Sequence, residues 1–205
     1  MTRQMTNPRF MTDLAHLPTH GHGARGATWW GTLGFVAIEG TVFVLAVAAY
    51  FYLMGHEQSW PPNQLPPDMT WGNIQLGVIL ASMIPNLWAE KVGKQEDLKK
   101  ARIALVIMSV AGLIPLGIRV FEFYGLNCLW TDNAYGSIVW LILGLHTLHL
   151  LTDVGDTLVL TVLMFTRHAE PRRFTDVTDN CTYWNFVVLS WLPIWALLYA
   201  VPRLV

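Results

Sequence analysis

Residues 141–160 read LILGLHTLHLLTDVGDTLVL. The tract is apolar enough to cross a bilayer, yet it carries His146, His149, Asp153 and Asp156 within eleven residues. A charged side chain at the bilayer centre costs about 3 kcal/mol on insertion scales. At about 100° per residue, the four side chains fall within an arc of about 80° on a helix. They form one stripe, which must face protein or water rather than lipid. His146 and His149 lie near the middle of the tract and the two aspartates one to two turns nearer its end.

The rest of the chain extends this pattern. Of 205 residues, 53% are hydrophobic and 13% charged, about half the charge of a soluble domain. The net charge of −1 gives no reason to expect nucleic acid. Residues 1–28 are polar, with Pro8 and Pro18, and have no apolar core before a cleavage site, so no signal peptide is expected. HGHG at 20–23 reads as part of this polar terminus rather than as a metal site.

A hydrocarbon core of about 30 Å takes about 20 helical residues, and five segments qualify: 29–54, 71–88, 101–123, 135–165 and 183–201. Pro85, Pro115 and Pro193 fall within them and predict kinks. The fold class is therefore all-α, an integral membrane bundle of five transmembrane helices spanning 29–205 behind a polar segment, 1–28. Of thirteen Lys and Arg, eleven fall on one side of this topology. They are Arg3, Arg9 and Arg25, then Lys91, Lys94, Lys99, Lys100 and Arg102, then Arg167, Arg172 and Arg173. Only Arg119 and Arg203 fall on the other, so the N-terminus is expected in the cytoplasm and the C-terminus outside. Cys128 and Cys181 then lie on opposite sides of the membrane and cannot pair.

Three further ionisable residues lie within the spans. Glu39 is about ten residues into the first, near the midplane. Arg119 and Glu122, at the outer end of the third, have the i,i+3 spacing of a local pair. Four explanations compete for these groups. A bis-His haem needs ligands on facing helices, and both midplane histidines share one. His-x2-His-x3-Asp has metal-ligand spacing. Intramembrane acids and histidines also serve proton relays, and they hydrogen-bond between helices to fix packing. The spacing alone leaves relay and packing open.

Five pieces in register carry a resemblance. WWGTLGFVAIEGTVFVLAVAAYFYL (29–53) is similar to the opening helix of the five-helix bacterial form of subunit III of haem-copper oxidases, with its Trp pair, mid-helix Glu and aromatic exit. SWPP (59–62) resembles that family's outer loop, and EFY (122–124) its third-helix end. YGSIVWLILGLHTLHLL (135–151) resembles its YGS…GxHxxHV segment, and YWNFVVLSWLPIWALLY (183–199) its last helix. The resemblance implies a chain without catalytic residues, haem, copper or other metal of its own. On this resemblance it is expected to belong to a proton-pumping complex of the respiratory chain that reduces O2 to water, in a bacterial inner membrane. There it is expected to pack against subunit I, with subunit II nearby, to bind structural phospholipid and to support proton uptake. Trp29, Trp30, Tyr50 and Trp184 are the lipid-binding candidates. The electron donor, cytochrome c or quinol, stays open. So do two other readings: an accessory subunit of a nitric oxide reductase and, from the aspartate stripe alone, a small proton- or metal-coupled transporter.

The sequence departs from the family in three places. Asn185 stands where the family has His. The acidic, His-rich loop before the last helix is reduced to His168 and Glu170, and Asp153 and Asp156 occupy positions expected to be neutral. Asp153, Asp156 and Asp176 are thus expected to rebuild a proton-collecting surface. Arg102 and Arg167 are candidate partners if the first two are instead salt-bridged.

Overall fold

The computed structural model describes residues 27–62, 65–166 and 172–204. The expectations for Arg3, Arg9, Arg25, HGHG, Arg167, His168 and Glu170, and for the side chains of Arg172 and Arg173, lie outside what it describes. All regular structure among the described residues is helical. The long helices are α1 (Ala27–Met54), α4 (Leu98–Tyr124), α5 (Ala134–Phe165) and α6 (Arg172–Trp195). Between α1 and α4 come α2 (Met69–Ala81) and α3 (Met83–Lys94). A π turn, Ala196–Ala200, and the short α7 (Val201–Leu204) extend α6. Among the described residues, four helices are long and apolar enough to cross a bilayer. α2 and α3 follow one another where the sequence predicts the second span.

The break between α2 and α3 has a local cause. Pro85 has no N–H to offer the carbonyl four residues back, which interrupts the ladder. Ser82 sits at the break, its hydroxyl donating to the Ile79 carbonyl at 2.6 Å and accepting from Trp184 Nε1 at 2.9 Å. The kink expected at Pro85 is thus a break tied to α6. Pro115 lies inside an uninterrupted α4, and Pro193 is followed by the π turn.

Polar ends are capped in the usual way. Asp68 accepts from Thr70 N at the start of α2, and Asp97 from Lys99 N and Lys100 N at the start of α4. Both carboxyls are held below the usual Asp value, Asp68 chiefly by the Thr70 backbone bond and Asp97 chiefly by the Lys100 side chain. Each therefore contributes fully above the ordinary Asp range, and that contribution is lost as pH falls through the lowered value. Cys128 and Cys181 are both free and buried. Burial, with Asp132 nearby, pushes the Cys128 thiol up to about 11.

α5 is the central element, packed on α4, α6 and α1, while α3 packs on α6. α1 lies at the periphery. It buries only Phe43, Ala46 and Tyr50 and turns Phe35, Ile38, Val44 and Leu45 outward, as a helix facing lipid or a partner subunit does. One close approach fixes α2 against the π turn. A Cβ on Gly72 would stand 2.5 Å from Tyr199 Cζ, and that ring is 1% exposed and hydrogen-bonded.

Gly72→Ala should therefore lose about 1–3 kcal/mol to overpacking. Gly77→Ala, one to two turns along the same helix with open space around it, should gain a few tenths to about 1 kcal/mol of helix propensity. Melting temperatures of the two variants in the detergent-solubilised complex check this, and a stabilised Gly72→Ala would show that Tyr199 is not held there.

Candidate functional site

The intramembrane polar residues sort into three groups, arranged along α5. The first is closed. Arg119 Nη1 pairs with Glu122 Oε2 at 2.6 Å, both side chains at or below 1% exposure. Arg119 Nη2 reaches His146 Nδ1 at 2.9 Å, and its guanidinium lies 4.1 Å from the Trp191 ring centroid. Tyr199 donates to Glu122 Oε1 at 2.5 Å, and His146 Nε2 meets the Val187 carbonyl at 3.0 Å. A carbonyl only accepts and a guanidinium only donates. His146 is therefore the neutral tautomer with the proton on Nε2. The local i,i+3 pair expected from the sequence is present, joined to α5, α6 and the π turn.

The second group surrounds Glu39. Tyr183 donates to Oε2 at 2.6 Å, and His149 Nε2 stands 3.4 Å from Oε1. His149 Nδ1 donates to the Leu145 carbonyl at 2.6 Å, so it is Nε2 that faces the carboxyl. Both histidines lie near the middle of the tract. The structure joins only His149 to Glu39, because residues 146 and 149 lie almost a full helical turn apart and meet different neighbours.

The third group is a crevice of about 690 Å³ between α1, α5 and α6. Five carboxylates line it, Glu39, Asp153, Asp156, Asp176 and Asp179, and none of its described lining residues is Lys, Arg or His. Asp156 is exposed into it, whereas Asp153 is 1% exposed. Arg102 is not the partner of either aspartate. Its Nε donates to the Met164 carbonyl at 2.8 Å, and its guanidinium lies over Phe165. Asp153 instead accepts from Asn180 Nδ2 at 3.3 Å.

Two lipid-binding candidates are also corrected. Tyr50 is fully buried, edge-on to Trp60, which packs on Tyr135, and Trp184 is 1% exposed beneath Ser82. Lipid does not reach either. Trp30 is 49% exposed, and Trp29 packs edge-on against it. Other contributors were not singled out from sequence: Tyr199, Trp191, Asn180 and Asp179, and the Asn86–Asn185 bond of 2.8 Å between α3 and α6. The signal available for Asn86 was a polar side chain in an apolar run. Among the described residues, no three His, Cys, Asp or Glu side chains converge as a metal site.

The class defined by this fold and site is a multi-pass helical membrane protein with a buried ion pair in its interior and an acidic crevice at one side. More narrowly, the chain belongs to the cytochrome c oxidase subunit III family, whose sequence model matches residues 13–202. It is similar to cytochrome c oxidase subunit 3 of Thermostichus vulcanus, 26% identical over 187 residues, covering 90% of this chain and 92% of the relative. The subunit 3 of Synechocystis sp. is 24% identical over 204 residues (95% and 87%), and that of Gallus gallus 23% over 193 (90% and 72%). The family is the non-catalytic subunit of haem-copper oxidases, with haem and copper in other subunits of the complex.

Removing one partner of the closed group should be costly. Glu122→Leu leaves Arg119 buried and unpaired and should destabilise the bundle by about 3–5 kcal/mol. The double variant Arg119→Leu, Glu122→Leu should lose less than that single variant. Thermal unfolding of the solubilised complex measures both; additive losses would mean the two side chains act independently.

Proposed function

We propose that this chain binds catalytic subunit I of a proton-pumping terminal oxidase in a bacterial inner membrane, with subunit II nearby, and collects protons for it. The N-terminus is cytoplasmic on this reading, which the eleven-to-two distribution of basic residues supports. The crevice then opens near the cytoplasmic start of α1, since Thr28, Gly31 and Thr32 line it. Outward-facing apolar side chains of α1, with Trp29 and Trp30 at its start, are the surface for structural phospholipid and the partner subunit.

The observation that carries the proposal is five carboxylates around one crevice with no described basic residue lining it. Such a set concentrates cations by its field and exchanges protons with water at its rim. A structural salt bridge, the competing explanation for Asp153 and Asp156, would require a cation; of its two candidates Arg102 is turned away, and Arg167 lies outside the described residues. Glu39 and Tyr183 form the crevice's inner wall, with His149 behind Glu39, while Arg119, Glu122 and His146 serve assembly.

The pair of variants Asp156→Asn and Asp176→Asn tests this in the intact complex. Oxygen consumption should slow, with the deficit growing as pH rises because bulk protons become scarce, and shrinking at high salt. Haem spectra and subunit content should stay unchanged. A deficit independent of pH, or loss of this chain on detergent washing, would make the acids structural.

A further inference from the structure

Asp153 is a crevice acid whose described surroundings do not balance an ionised carboxylate. It is 1% exposed; Oδ1 accepts from Asn180, whose own carbonyl accepts from Thr157 at 3.1 Å. Oδ2 has no hydrogen-bond partner, although the residue lines the crevice. Asp179 Oδ2, on the opposing α6 wall, is likewise buried and unpartnered. A buried carboxylate with one neutral hydrogen bond is strongly disfavoured unless a positive charge reaches it.

Among the described residues, no neighbouring element supplies that charge. α1 presents Glu39, and α5 presents Asp156 and His149. His149 is one turn away and its Nε2 faces Glu39. α6 presents Asp176, Asp179 and Tyr183, with Cys181 beside them. The positive charge therefore arrives through the crevice. A metal ion needs several converging ligands, and no such set exists among the described residues. A proton needs one oxygen atom.

We propose that Asp153 is a proton-holding site loaded from the α1/α5/α6 crevice at Oδ2. This rests on the proton-collecting reading and deepens it: the rim acids exchange with water, whereas Asp153 stores one proton inside the bundle. On loading, a proton from crevice water forms the Oδ2–H bond while Oδ1 keeps its bond from Asn180. On release, the O–H bond breaks, the electron pair stays on oxygen and the proton returns to water.

Infrared difference spectroscopy of the intact complex across a pH step tests the assignment. The wild type should carry a carboxylic-acid carbonyl stretch that shifts in deuterated water. Asp153→Asn should remove it, and Asn180→Val should move it to higher frequency without removing it, since the carbonyl loses its hydrogen bond. If Asp153→Asn does not assemble, the Asn180→Val shift decides alone. A spectrum unchanged in the variants would overturn the proposal. So would a wild-type band abolished by sodium or calcium chloride at constant pH, since the crevice would then hold an inorganic cation. Failure of the proton-collecting reading would appear separately, as normal turnover in the rim variants while the Asp153 band persists.

Discussion

A guanidinium enclosed within a helix bundle costs several kcal/mol unless its charge and its donors are answered. The charge and both terminal nitrogens of Arg119 are answered by Glu122 on its own helix, His146 on α5 and the Trp191 ring on α6, while its buried Nε has no hydrogen-bond partner. Much of the packing depends on that requirement. Glu122 holds the Tyr199 hydroxyl, Tyr199 presses on the backbone at Gly72, and Gly72 fixes α2. His146 carries the constraint to the Val187 carbonyl. One buried charge thus ties α2, α4, α5 and α6 into a unit, without the apolar driving force that lipid fails to provide between helices.

The polar interior then divides by access to water. Around Arg119 the principal donors meet acceptors and the groups are nearly inaccessible, which suits a fixed joint. Along α5 toward its C-terminal end, the stripe passes from His149, paired with Glu39, to Asp153 and then to Asp156 in the open crevice. Among the described residues of the stripe, the exposed acid lies at that end. Helix α1 supplies one wall of the crevice and buries little of itself, so the crevice shape is sensitive to whatever covers α1 in the assembled oxidase.

The spans and the Arg119–Glu122 pair were legible because hydropathy and i,i+3 spacing are properties of a single helix. The confinement of the α5 stripe to protein or water was legible for the same reason. The partition of His146 from His149 was not, since it depends on how α4 and α1 are rotated against α5. Tyr50 reads as an interfacial aromatic in sequence, yet the segment after α1 folds Trp60 back over it. Arg102 has the right location along the chain to meet Asp153, but its guanidinium is captured by the end of α5. Pro85 announced a kink; only the fold showed that Ser82 and Trp184 hold it as a break.

Nitrogen-15 NMR of the intact complex with labelled histidine tests the joint at Arg119 most directly. The account requires His146 to appear as a neutral imidazole protonated at Nε2, with Nδ1 shifted as a hydrogen-bond acceptor, and Arg119→Leu to abolish that acceptor shift. An imidazolium at His146, or the tautomer protonated at Nδ1, would place the guanidinium elsewhere and remove the constraint from which the rest of the packing follows.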